Sequence, residues 1–73
     1  MIMTINWRFS LFAQDNEGKN IFLDRSMMLG RIVRRCKLEV KNFKQFEIFK
    51  DDSEYVVRGY VQPNGHIDWV KEY

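Results

Sequence analysis

Phe46-Glu47-Ile48-Phe49-Lys50, Tyr55-Val56-Val57-Arg58-Gly59-Tyr60-Val61 and Ile67-Asp68-Trp69-Val70 decide the fold class of this chain. In the first run Phe46, Ile48 and Lys50 alternate with Glu47 and Phe49. In the second, Tyr55, Val57, Gly59 and Val61 alternate with Val56, Arg58 and Tyr60. In the third, Ile67 and Trp69 alternate with Asp68 and Val70. Asp51-Asp52-Ser53 and Pro63-Asn64-Gly65 separate the runs. Period-two alternation between turn formers is the pattern of a half-buried antiparallel meander. Pro63-Asn64-Gly65 suits a type I turn closed by a left-handed Gly65, a hairpin with a G1 bulge. Gly59, in mid-strand, points to a bulge or to close crossing by a helix.

Upstream, Met3, Ile5, Trp7, Phe9 and Leu11 alternate with Thr4, Asn6, Arg8 and Ser10, which predicts a first strand over Ile5 to Ala13. Asp15 to Asn20 is a polar loop of hairpin length, and Ile21-Phe22-Leu23 reads as a short returning strand suited to a sheet edge. Asp24 or Ser26 then offers an oxygen to cap a helix. Leu29, Ile32, Val33, Cys36 and Val40 follow at helical spacing with Met28 beside them, so the spacing predicts a helix from about Arg25 to about Lys41, ending near Asn42. Gly30 inside it costs about 1 kcal/mol relative to alanine, which close packing of the helix backbone on the sheet would explain.

The resulting order is β-β-α-β-β-β. The expected fold is α+β, a single compact domain over residues 1–73 with one helix packed on an antiparallel sheet of about five strands. Trp7, Phe9, Leu11, Leu29, Ile32, Val33, Cys36, Ile48, Val57 and Trp69 are the expected core.

Composition sets the class. The chain has 73 residues, 45% of them hydrophobic and 15% aromatic, enough for a packed core and against disorder. The aromatic content exceeds what one helix covers, which points to a homodimer or a partner-binding face. Cys36 is the one cysteine, so an internal disulfide is excluded; a reducing cytoplasm is expected, with Cys36 as a buried hydrophobe. No apolar run approaches the roughly 20 residues that span a bilayer, and Met1-Ile2-Met3-Thr4 lacks the basic and apolar regions of a signal peptide, so no membrane partner is expected.

Twelve basic and ten acidic residues leave a net charge of +2, too little to imply a polyanion partner by itself. The distribution says more. Between Arg25 and Lys50 the only acids are Glu39 and Glu47. Arg31, Arg34, Arg35 and Lys41 fall on one side of the expected helix, extended by Lys37 and Lys44. Arginine forks suit oxyanions, and no glutamate is evident to neutralise this stripe by i,i+4 pairing. The alternative is a solvated face that keeps the protein soluble. On the sheet side away from the helix, alternation places Arg8, Phe12, Glu47, Phe49, Val56, Arg58, Tyr60 and Val70. Phe49, Arg58 and Tyr60 are the expected partner-binding group there, since mixed aromatic and arginine composition marks interfaces. The alternative is scattered surface hydrophobics.

Catalysis finds no support. His66 adjoins a turn glycine, and Asp51, Asp52 and Glu54 sit at a hairpin tip without the spacing of a calcium loop. There is no phosphate loop, zinc-type Cys/His set or nucleophile elbow, so no catalytic residue, metal or cofactor is expected. The sequence therefore supports a small non-enzymatic interaction module, a regulator or inhibitor whose partner is a protein. Size and composition resemble those of antagonists of host machinery encoded by phages or mobile elements, an analogy and no more. Nucleic acid is the alternative partner, although no RNA-recognition motif is present in Phe43-Lys44-Gln45-Phe46-Glu47-Ile48-Phe49. A structural homo-oligomer subunit is the third reading.

Overall fold

The alternating runs become strands, and the turn chemistry sets where they end. A computed structural model describes residues 8–51 and 56–72. Within them lie β1 (Phe9–Gln14), β2 (Asn20–Ser26), α1 (Leu29–Leu38), β3 (Gln45–Lys50), β4 (Val56–Val61) and β5 (Ile67–Glu72). All neighbours pair antiparallel, in the spatial order β2-β1-β3-β4-β5. This is the expected α+β fold of one helix and five strands. The expected positions Ile5 to Trp7 of the first strand, Tyr55 of the fourth, the core residue Trp7, and Asp52, Ser53 and Glu54 of the turn lie outside the described residues.

Two hairpins share one construction. Gly65 adopts φ +87° and donates its N–H to the Gln62 carbonyl at 2.8 Å, while the Gln62 N–H donates to the His66 carbonyl at 2.7 Å. That is the turn expected from Pro63-Asn64-Gly65. Gly18 (φ +82°) and Asp15 repeat it between β1 and β2. There the Asp15 carboxylate also accepts the N–H groups of Glu17 and Lys19, each at 2.9 Å. Only glycine takes this left-handed geometry without strain.

β2 does lie at an edge, but it is longer than the expected Ile21-Phe22-Leu23. Leu11 pairs with Asp24 and Phe12 with Phe22, so Leu23 is an extra residue, a bulge, and the strand continues to Ser26. This overturns the expected helix start at Arg25. The Asp24 and Ser26 oxygens do not cap α1 either. Met28 is the capping residue, with no side-chain bond, while Ser26 Oγ accepts the Met28 N–H at 3.0 Å and shapes the turn before the helix. At the other end α1 stops at Leu38, short of Lys41. The Glu39 N–H bonds the Cys36 carbonyl, and the Lys44 N–H is captured by the Gln14 carbonyl at the end of β1. The chain must turn there to enter β3, and Val40 and Phe43 pack against the core from that turn.

α1 carries the chain over β1, from edge strand β2 to central strand β3, and packs closest to β2 and β1. Beneath it the rows Leu11–Ile48–Val57 and Ala13–Phe46–Gly59–Trp69 run across the sheet. The core is Leu11, Ala13, Ile32, Cys36, Phe46, Ile48 and Ile67, with Phe9, Val33 and Val57 half-buried around it. Burial pushes the Cys36 thiol up to about 12 from its ordinary 9.0, because a thiolate there would lose its hydration. Two expected core residues are corrected. Leu29 and Trp69 are each 37% exposed: α1 packs most closely on β2 and β1, so Leu29 at its start and Trp69 on the opposite edge strand β5 are only partly covered.

Both glycine readings also change. An added Cβ at Gly30 would meet nothing within 4 Å, so the helix does not need it for packing. At Gly59 the close approach is real but comes from β5: a Cβ there would stand 2.7 Å from both Ile67 Cγ2 and Trp69 Cζ3. The Trp69 ring lies over its cross-strand partner Gly59 and covers the backbone there.

Candidate interaction surfaces

The sheet separates the expected partner-binding residues into two groups that share no surface. Phe49, Arg58 and Tyr60 lie on the open face; Arg31, Arg34, Arg35, Lys37, Lys41 and Lys44 lie on α1 and the turn after it. Parity decides this. Phe12, Glu47, Arg58 and Val70 form one cross-strand row, and Ser10, Phe49 and Val56 form the next, both opposite in parity to the core rows.

On the open face three phenylalanines are contiguous. Phe12 stands between Phe22 on β2 (ring centroids 5.5 Å, planes at 69°) and Phe49 on β3 (5.8 Å, 82°). These are edge-to-face contacts, in which one ring's positive edge meets another's negative face. Phe22 remains 53% exposed, and Tyr60 and Val70 are exposed on β4 and β5. An antiparallel sheet that faces only water carries mostly polar side chains. Beside the aromatic run, Arg58 Nε donates to the Glu47 carboxylate at 2.7 Å. Phe12, Gln14, Asn20, Gln45, Glu47 and Arg58 line a shallow dent of about 260 Å³. Further along, Arg25 Nε donates to Ser10 Oγ at 3.0 Å, Ser10 Oγ donates to Asp51 at 3.4 Å, and Arg25 also reaches Asp51 at 3.8 Å. Asp51 is thus tied into a polar cluster with Ser10 and Arg25. His66 is exposed, 3.6 Å from the Asp68 carboxylate.

The helical stripe is less uniform than its sequence implies. Arg35 pairs with Glu39 at 3.7 Å, an i,i+4 pair, which overturns the expectation that no glutamate neutralises the stripe. Arg31 reaches Asp24 on β2 at 3.6 Å, brought near by the bulge. Arg34, Lys37, Lys41 and Lys44 are exposed and carry no ion pair among the described residues. Leu38, at the end of the stripe, is exposed as well.

Phe22 is the functional candidate that sequence reading passes over. In Ile21-Phe22-Leu23 three apolar residues run together, so alternation assigns no face; the bulge at Leu23 decides it. Among the described residues, no group of three or more His, Cys, Asp or Glu side chains is gathered to hold a metal ion. No helix among them is long and apolar enough to cross a membrane. Comparison of the chain with protein-family models, with curated proteins and with solved structures finds no match.

Proposed function

We propose that this protein is a non-enzymatic interaction module of the cytoplasm, a regulator or inhibitor that binds a protein partner through its open sheet face. The observation that carries this reading is the contiguous Phe22–Phe12–Phe49 run on a sheet face that no helix covers among the described residues. Phe49, Arg58 and Tyr60 form the centre of the contact and Phe22 its outer end. Buried aromatic anchors with an arginine among them supply most of the binding energy in such interfaces.

Three features favour protein over nucleic acid on this face. The phenylalanine rings meet edge to face, so they do not form parallel platforms for stacking bases. Arg58 is bonded to Glu47, whose carboxylate would repel a phosphate beside it. The unpaired cations sit on the far side of the sheet, where one strand of nucleic acid could not use them together with the aromatics.

A second reading is favoured by Arg34, Lys37, Lys41 and Lys44 alone. This group of exposed cations suits an acidic surface or phosphates. One capture experiment tests both readings: tagged protein retained on beads, host lysate with and without nuclease, and mass spectrometry of what is held. The sheet-face reading expects a nuclease-resistant protein that Phe49→Ser with Tyr60→Ser abolishes and Arg34→Glu with Lys37→Glu leaves bound. Recovery that needs nucleic acid, falls steeply with salt and is lost in the helix variant would replace it with the second reading.

A further inference from the structure

An α-helix is about 10 Å across and strands lie about 4.8 Å apart, so one helix covers about two strands of a sheet. α1 lies closest to β2 and β1, and five strands are more than it can cover. Its two flanks differ accordingly. On the flank towards β2, Arg31 reaches Asp24 at 3.6 Å. On the other flank Val33 and Lys37, one turn apart, face β5 across a hollow of about 430 Å³. Val33, Ile67 and Trp69 are its apolar lining, and Gly65 and His66 end it at the turn between β4 and β5.

A second hollow of about 500 Å³ continues along the helix, lined by Leu29, Gly30 and Arg34 together with the same Val33 and Lys37. Gly30 has no side chain to fill it, and an added Cβ would meet nothing within 4 Å. The two hollows meet at Val33 and Lys37 and form one open trough. Its apolar ends are partly bare, with Leu29 and Trp69 each 37% exposed.

The charge around this trough has one sign. Arg34 and Lys37 are exposed and carry no ion pair among the described residues. Among the described residues no Asp or Glu lines either hollow. Asp24 and Glu39 are engaged by Arg31 and Arg35. Asp68 has the opposite parity to Ile67 and Trp69, accepts a hydrogen bond from Gln62 at 2.7 Å, and stands 3.6 Å from His66.

We propose that the trough between α1 and β5 binds a short acidic segment of a partner protein, anchored by one bulky apolar side chain. The anchor sits among Val33, Ile67 and Trp69, and carboxylates beside it meet Lys37 and Arg34. This inference is independent of what the open face binds, since it uses the other side of the sheet. Of the exposed basic group it takes only Arg34 and Lys37, and it adds the apolar anchor that a purely electrostatic contact lacks. A small molecule is disfavoured because its sites enclose most of the ligand, whereas this trough is open along its length. Nucleic acid is disfavoured because bases stack on aromatic rings, and Trp69 is the one aromatic among aliphatic walls.

The test is titration of the isotope-labelled full chain with a blocked synthetic peptide carrying one phenylalanine between aspartates, followed by nuclear magnetic resonance. The Trp69 indole N–H and the amides of Val33, Lys37 and Ile67 are expected to shift and saturate, with Kd between about 10 µM and 1 mM, the range of a small interface. Alanine in place of the phenylalanine should weaken binding by at least about tenfold, because the anchor carries most of the contact. Arg34→Glu with Lys37→Glu, both at exposed positions, should weaken it by about fivefold or more, and asparagine in place of each aspartate should do the same. Phe49→Ser with Tyr60→Ser should bind the peptide as wild type does, so loss of the open-face reading leaves this result standing. No saturation at millimolar peptide overturns the proposal, as do shifts confined to Phe49, Tyr60 and their neighbours. Equal binding of the alanine or asparagine peptides overturns it too. A single-stranded oligonucleotide that moves the same Trp69 and Val33 signals at lower concentration than the peptide would replace the acidic segment with nucleic acid.

Discussion

Replacing Gly59 with alanine tests the packing of Trp69 and Ile67 directly. The new Cβ would stand 2.7 Å from Ile67 Cγ2, 2.7 Å from Trp69 Cζ3 and 2.9 Å from Trp69 Cε3. That is about 1 Å inside the optimum of roughly 3.5–4.0 Å for carbon pairs. Ile67 is buried and has little room to move; Trp69 is partly exposed and swings outward instead. Overpacking of this kind costs about 1–3 kcal/mol. Alanine recovers about 0.5–1 kcal/mol of strand backbone entropy. The net loss is about 1–2 kcal/mol, which for a domain of this size lowers Tm by roughly 5–15 °C. Gly30→Ala is the matched control. A Cβ there meets nothing, and the residue is helical, so stability rises by up to about 1 kcal/mol. Thermal unfolding followed by circular dichroism reads both variants, which should shift Tm in opposite directions. A Gly59→Ala protein as stable as wild type would falsify the stacking of Trp69 over Gly59.

Other substitutions probe the core. Phe46→Ala removes a fully buried ring between Ala13 and Gly59 and should cost about 3–5 kcal/mol, most of the stability of so small a domain, whereas Phe9→Ala, half-buried, should cost less. Chemical denaturation of the two variants ranks them, and equal losses would place the core wrongly. Cys36 should resist thiol reagents at neutral pH in the folded protein. Its folded pKa of about 12 lies above the ordinary 9.0, so the stability from burying the neutral thiol is complete below about pH 9 and is lost as pH rises from there through 12. The gap in stability between wild type and Cys36→Ala should therefore narrow above pH 9; labelling of native Cys36 at the rate of an exposed thiol would contradict its burial.

Strand and helix identity were legible because they depend on local period. Alternation in Phe46–Lys50 and Val56–Val61 sorted the side chains into the two sets that occupy opposite faces, while which set packs under the helix was decided by the structure; the Pro63-Asn64-Gly65 turn followed from the conformational freedom of one glycine. The helix ends were not legible. Arg25 and Ser26 have residues any helix accepts, but they are held in β2 by pairing with Ser10 and Phe9, partners sixteen or so positions away. Phe22 as a surface aromatic was hidden for the same reason, since the bulge that aims it is a property of the pair of strands.

The sequence by itself determined the α+β class, the element order, the hairpin chemistry, and the sorting of each strand's side chains into two alternating sets. These rest on side-chain period and on backbone dihedral preferences, which act within a few residues. Tertiary structure alone decided three further things: that α1 lies over β1 and β2 and leaves Trp69 partly exposed; that Arg31 and Arg35 are paired with Asp24 and Glu39 while Arg34, Lys37, Lys41 and Lys44 have no ion pair among the described residues; and that aromatic and basic surfaces face opposite ways. Each depends on which distant segments meet across the sheet, and that is set by the summed burial of the whole chain and by no local stretch of it.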